Sequence, residues 1–256
     1  MNYFASASTD IGIVKETNQD SACVKIAELE GKGQAVMALV CDGLGGLSKG
    51  ELASATLIRR FSDWFEKDLP KRLRDFSWPN IADEWVKIIK GQNEKLLQYG
   101  KSINVTLGTT LSAMVIIDGK YMIAHVGDSK IYEIRDAVKQ LTEDQTFVNR
   151  EVKAGRMTPE EAAAHPKRNT LLQCIGASRE TDPDIKYGTV MADTVYMFCS
   201  DGFKHVLTDA EILENFNPAN MDSIGRMKKR SDHVIDMIKK RNERDNITVV
   251  LLKSVM

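Results

Sequence analysis

The chain is short of the residues that announce several common chemistries. In 256 residues it has four histidines and four cysteines. His125, His165, His205 and His233 form no helical H-E-x-x-H pair, so each reads as structural or exposed rather than catalytic. Cys23, Cys41, Cys174 and Cys199 make no C-x-x-C pair and no zinc pattern. They read as reduced core residues, because free buried cysteine behaves as a small hydrophobe. A Gly-x-Ser-x-Gly elbow is missing, which argues against a serine hydrolase. No apolar run reaches the roughly 18 residues of a membrane span. The start, Met1-Asn2-Tyr3-Phe4-Ala5, lacks the basic and apolar pattern of a signal peptide, so the expected compartment is the cytoplasm. Net charge is lacking too: 35 basic and 36 acidic residues leave -1. A nucleic-acid partner would need a basic footprint, and the patch at Lys228, Lys229 and Arg230 reads as the solvated face of a helix.

What the chain does have is enough apolar content, 43%, to bury one sizeable core. Strand-like runs come first, at 3–8, 21–27 and 34–41. Two helical stretches follow. The one at 49–67 repeats Leu57, Ile58, Phe61, Trp64 and Phe65 at spacings of three and four. The one at 79–99 puts Ile81, Trp85, Ile88, Ile89 and Leu96 on one face, with Pro79 suited to its first turn. Strands at 109–117 and 120–126 meet at Asp118-Gly119, a hairpin signal, and 130–135 continues the meander. A polar, mainly helical segment is expected at 141–176. Strands at 185–190 and 194–199, helices at 209–216 and 220–241, and a strand at 247–252 complete the chain. Strand runs mixed with paired long helices argue for α+β layers.

The informative feature is where aspartates fall. The apolar run 36–41 stops at Asp42-Gly43, the run 122–126 at Gly127-Asp128-Ser129, and the run 195–199 at Ser200-Asp201-Gly202. Asp20 and Asp245 precede strands instead. In an antiparallel sheet one strand's end lies beside its neighbour's start, so all five carboxylates can gather at one rim. Packed like charges raise one another's pKa unless a cation neutralises them. Oxygen-only donors favour hard cations such as Mg²⁺ or Mn²⁺. The competing reading is plain: Asp-Gly after a strand is usually a turn. From the pattern alone, turn and metal site both stay open. The glycine-rich stretch from Asp42 to Gly50 does not fit the phosphate-loop spacing.

These residues resemble, in order and over nearly the whole chain, the motifs of the metal-dependent protein phosphatases of type 2C, in their compact bacterial form. Thr9-Asp-Ile-Gly-Ile-Val-Lys-Glu-Thr-Asn-Gln-Asp20 resembles the opening motif, and Val40-Cys-Asp-Gly-Leu-Gly-Gly46 with Gly50-Glu-Leu-Ala-Ser54 the second. Leu107-Gly-Thr-Thr110, Ala124-His-Val-Gly-Asp-Ser129, Leu141-Thr-Glu-Asp144 and His165-Pro-Lys-Arg-Asn169 follow. Cys199-Ser-Asp-Gly202 and Asp245-Asn-Ile-Thr248 close the series. The resemblance implies one αββα sandwich of two antiparallel sheets flanked by helix pairs, spanning residues 1–256, with a flap at about 142–178. It also implies a protein serine/threonine phosphatase using two Mn²⁺ or Mg²⁺ ions. Asp42 would bridge both ions, the Gly43 carbonyl would bind one, and Asp201 and Asp245 would hold the other. Asp20 would act through metal-bound water, and Asp128 with Asp201 would make a third, weaker site. A water bridging the two metals would attack phosphorus directly, without a covalent phosphoenzyme. The implied partners are phosphorylated proteins and a serine/threonine kinase that shares those targets. A monomer is expected.

Three departures stand out. Lys15 replaces the family's usual arginine at the substrate phosphate, giving a point charge instead of a two-pronged contact. Lys130 replaces another usual arginine and reads as a packing or ion-pair change. Leu44 stands where animal members carry a histidine thought to act as general acid, which leaves the proton donor unassigned. The alternative functions are a weakly catalytic or non-catalytic phosphoprotein-binding module, and a phosphatase dedicated to anti-sigma-type partners.

Overall fold

The computed structural model describes residues 1–31, 33–44 and 49–255. Ten strands are assigned among them: β1 (Asn2–Asp10), β2 (Ser21–Leu29), β3 (Gly33–Cys41), β4 (Leu111–Ile117), β5 (Lys120–Val126), β6 (Lys130–Ile134), β7 (Val138–Gln140), β8 (Asp184–Thr189), β9 (Val195–Cys199) and β10 (Ile247–Val255). They form two five-stranded sheets, ordered β1-β10-β9-β6-β7 and β2-β3-β4-β5-β8, with every neighbouring pair antiparallel. The helices are α1 (Gly50–Asp63), α2 (Leu69–Arg72), α3 (Trp78–Ser102), α4 (Phe147–Lys153), α5 (Pro159–Ala164), α6 (Asp201–Lys204), α7 (Asp209–Phe216) and α8 (Ile224–Lys240).

Three apolar clusters explain the layering. Side chains alternate across a strand, and β3 has no polar residue from Ala35 to Cys41, so it can be buried on both faces. Met37, Leu39 and Cys41 pack with Leu57, Phe61, Ile81 and Trp85 of α1 and α3. Their neighbours Val36, Ala38 and Val40 face the other sheet, against Tyr196, Phe198, Val250 and Leu252. That second sheet turns Met197, Cys199, Val249 and Leu251 toward α7 and α8. The order is helices, sheet, sheet, helices, which is the expected α+β sandwich. The Asp118-Gly119 hairpin forms as expected, with φ of 50° and 67°, the left-handed pair that a two-residue turn demands.

Some elements differ from their expected extents. The stretch expected as one helix at 49–67 is α1, a π-helical turn at Trp64–Asp68, then α2. Pro70 has no N–H to continue the ladder, and the hydrogen-bond pattern widens just before it. The helix expected from 220 begins at Ile224, capped by Ser223. The segment 141–176 is not mainly helical: it holds only α4 and α5, among turns and bridges. Of the glycine-rich stretch after Asp42, residues 45–48 lie outside the described residues.

Candidate active site

Strand register brings the aspartates together. Ser21 pairs with Cys41, Val40 with Ser112 and Leu111 with Val126 in one sheet. In the other, Cys199 pairs with both Val249 and Lys130. The ends of β3, β5 and β9 therefore share a rim with the starts of β2, β4, β6 and β10. Asp42, Asp128, Asp201 and Asp245 line one open cleft of about 470 Å³ there, with Lys15, Leu44, Leu171 and Cys174. Asp20 lies buried behind them, 9% exposed. Asp201 is not at the end of β9 itself: Ser200 caps α6, and Asp201 is that helix's first residue.

Glycines make this convergence possible by letting backbones touch. A Cβ on Gly43 would lie 2.4 Å from the Gln19 carbonyl oxygen and 2.7 Å from Gly50. One on Gly202 would lie 2.2 Å from the Asn246 carbonyl oxygen. No side chain fits such gaps, so Asp42 sits directly on the loop before β2, and Asp201 directly on the loop before β10. Beyond Cys41 the chain stays paired: Thr110 N–H donates to the Asp42 carbonyl at 2.9 Å, and Leu44 N–H to the Gly108 carbonyl at 3.0 Å. By strand alternation, the intervening Gly43 carbonyl faces away from that neighbour.

The electrostatics are those of crowded anions. Burial, joined by repulsion from Asp201 and Asp245, pushes the Asp20 carboxyl up to about 7, although Thr248 and Ser200 hydroxyls pull the other way. Burial and the charge of Asp201 push Asp128 up to about 7, against the pull of Lys130. Asp42 is raised well above the carboxylate range by burial and by Asp20, Asp201, Asp128 and Asp245. The buried Oδ2 of Asp20 has no hydrogen-bond partner among the described residues. Lys15 answers part of this charge, its Nζ 2.8 Å from Asp245 Oδ1. His205 Nε2 lies 3.3 Å from Asp201 Oδ2, and Glu243 with Asp201 pushes that imidazole's pKa up. Among the described residues, no three carboxylate, imidazole or thiol groups close into a cage around one point. The donor chemistry still fits hard cations. It is all oxygen, it is crowded enough to resist ionisation, and it includes an orphaned buried carboxylate oxygen.

A sequence profile supplies the deciding comparison. The family model for Protein phosphatase 2C matches residues 13–239. The chain belongs to the protein phosphatase 2C family. Protein phosphatase PhpP of Streptococcus pneumoniae is 30% identical over 253 residues, 96% of each chain. The serine/threonine phosphatase of S. agalactiae has a structure that matches with a TM-score of 0.85 at 31% identity, covering 99% of this chain and 100% of that one. The catalytic domain of the phosphatase PstP, solved with two manganese ions, matches in fold with a TM-score of 0.78 at 24% identity, covering 99% of both chains.

Several residues to which sequence reasoning assigns no role, most of them inside the quoted motifs, organise the rim. Thr110 Oγ1 accepts from Asp42 N–H at 2.9 Å and lies 2.6 Å from Ser129 Oγ. Ser112 continues this polar seam, 2.7 Å from the Ser129 carbonyl and 2.9 Å from His125 Nδ1. Burial pushes the His125 imidazole down to about 4. Asn246 accepts from Gln19 N–H at 2.9 Å and donates to the carbonyls of Ile11 and Thr17, at 2.9 and 3.2 Å. It thereby shapes the loop that carries Lys15. Glu243 accepts from the Asp245 N–H at 3.0 Å and meets His205 Nδ1 at 3.4 Å, tying α6 to the start of β10. From the sequence, His205 reads as structural or exposed. Its spacing of four from Asp201 on one helix was the available signal for a contact. Lys130 makes the expected ion pair, 2.6 Å from Asp144 Oδ2.

Proposed function

We propose that this chain is a metal-dependent serine/threonine phosphatase that hydrolyses phosphoserine and phosphothreonine on proteins. The observation that carries the reading is the gathering of four aspartates beside Lys15 in one open cleft, backed by the partnerless oxygen of Asp20. The pneumococcal and S. agalactiae relatives are named as a protein phosphatase and a serine/threonine phosphatase, which supports the substrate class.

Asp42, the Gly43 carbonyl, Asp201 and Asp245 would hold two Mn²⁺ or Mg²⁺ ions, with Asp20 behind them and Asp128 joining Asp201 for a third. When bound, such ions lower the pKa of water and draw charge from a transferring phosphoryl group. Lys15, on the cleft wall, offers the substrate phosphate one ammonium in place of a guanidinium fork. Thr110 fixes the backbone of Asp42, so that this carboxylate meets its task without rearranging. Leu44 and Leu171 give the substrate chain an apolar wall. Cys174 also lines the cleft, but burial pushes its thiol up, away from a nucleophilic thiolate. The chain thus favours direct hydrolysis over a covalent phosphoenzyme. The flap at 142–178 of this one domain governs access to the cleft. The partners are phosphorylated proteins and a kinase acting on the same targets, in the cytoplasm, with the phosphatase as a monomer. No described helix is long and apolar enough to cross a membrane.

Hydrolysis of p-nitrophenyl phosphate and a phosphothreonine peptide, with and without Mn²⁺, tests the reading. Turnover should require the metal and disappear in Asp201→Asn. Folded protein without turnover under any divalent metal would sink it.

A further inference from the structure

A second cavity, of about 360 Å³, lies between the outer helices and shares no lining residue with the catalytic cleft. One wall is Arg60, Trp64, Asp68 and Arg72; the other comes from α3, chiefly Lys87, Ile88, Gly91, Gln92 and Lys95. Steps of four residues drift about 40° each around an α-helix. The wider π turn at Trp64–Asp68 takes back part of that drift, so all four residues of the first wall reach one space.

Two features of the second wall have no packing explanation. Gly91 sits inside a 25-residue helix, where glycine is less favourable than alanine. A Cβ there would meet nothing within 4 Å, so close approach does not require the glycine; its effect is to widen the cavity. Gln92 lines the cavity, and its amide makes no hydrogen bond among the described residues and is not one of the buried partnerless atoms, so it is open to the cavity's solvent. An amide free at the wall offers a ligand both a donor and an acceptor.

Charge identifies the ligand's chemistry. Glu84 is held by Arg72 and by Trp64 Nε1. Asp68 is shared by Arg60 and Lys71, each at 3.4 Å. Lys87 and Lys95 have no carboxylate partner among the described residues, so the cavity carries an uncompensated positive charge. Trp64 packs edge-on to Trp85, and Arg72 reaches Glu84 near the start of α3, which leaves Arg60, at the other end of the same wall, toward Gln92 and Lys95. We infer that this cavity binds a small phosphorylated molecule, its phosphate held by Arg60, Gln92 and Lys95 and its body lying along Gly91 and Ile88. A volume of this size is within the range of small-molecule pockets.

Calorimetric titration of the full chain with AMP, inorganic phosphate and adenosine tests this. AMP should bind saturably and adenosine should not. Lys95→Gln should weaken AMP and phosphate binding by about tenfold, the worth of one charge-assisted hydrogen bond. Gly91→Leu should abolish AMP binding and leave phosphate binding intact if the free ion fills only the head position. Both variants should keep wild-type phosphatase turnover, which verifies their fold and separates this site from the catalytic cleft. No saturable binding to wild type, or binding that survives both substitutions unchanged, overturns the inference.

Discussion

The two walls of the aspartate-lined cleft are built by different means. On the aspartate side, backbone lies on backbone: Gly43 against Gln19 and Gly50, and Gly202 against Asn246. On the opposite side, the segment bearing Asn169, Leu171, Cys174 and Ala177 is held by amide side chains as well as by short backbone bridges. Asn93 donates to the Ser178 carbonyl and accepts from Gly176 N–H, at 3.1 and 2.7 Å. Gln145 and Gln173 meet at 3.0 Å. Two short bridges, Thr109 with Ile175 and Thr146 with Leu171, add backbone pairing there. The lesson is a division of labour. Carboxylates that must converge to within a fraction of an ångström are fixed by contacts with no rotamers. The opposite wall relies more on side-chain hydrogen bonds worth about 1 kcal/mol each, which sequence change can exchange one at a time.

The sharpest way to break this contrast is Gly202→Ala. Its new methyl must displace the Asn246 backbone, moving Asp201 from Asp245, and turnover should fall on the order of 10²-fold. Gly225→Ala, which meets nothing within 4 Å, should leave turnover unchanged and serves as the control. The aspartate wall should also respond to pH through metal uptake. Asp20 and Asp128 are pushed up to about 7 from an ordinary 3.8. Without divalent ions their raised native pKa favours the folded state at low pH, and that contribution is lost as pH rises through about 7. A cation binds only the ionised form. The gap in Tm between Mn²⁺ and EDTA samples should therefore widen from pH 6 to pH 8, by calorimetric scanning; a constant gap would contradict the coupling.

On the other wall, Asn93→Ala leaves a buried N–H and a carbonyl unpaired, costing about 2 kcal/mol. It should raise KM for a phosphopeptide severalfold, with p-nitrophenyl phosphate turnover little changed; equal losses on both substrates would mean that the two walls are not separable. The smallest effect belongs to Lys15→Arg, which restores the fork. KM for the phosphopeptide should fall a few-fold with kcat steady, and an unchanged KM would remove Lys15 from the phosphate site.

How much of this was legible in the sequence follows from the same contrast. Asp42, Asp128 and Asp201 were readable because each interrupts an apolar run too long to be a loop, and antiparallel pairing then dictates a shared rim. Thr110 and Asn246 were legible only as members of motifs, and Glu243 not at all, because their value lies in hydrogen bonds to segments far away in the chain, such as Asn246 to Ile11 and Thr17. The wall at 141–176 was misread as mainly helical. Its polar residues match a solvated helix in composition, but Gln145 and Gln173 spend their side chains on each other and, for Gln173, on the backbone of Asp182. The π turn escaped because the spacing of Phe61, Trp64 and Phe65 looks the same whether or not the ladder widens after Asp63.

The central claim is that these carboxylates crowd one rim in order to hold cations. Calorimetric titration of Mn²⁺ into wild type and Asp42→Asn, in two buffers of different ionisation enthalpy at pH 7, tests it most directly. The account predicts at least two ions bound per wild-type chain, protons released on binding, and loss of the tight sites in the variant. Binding of no ion, or equal binding by folded Asp42→Asn, would contradict it.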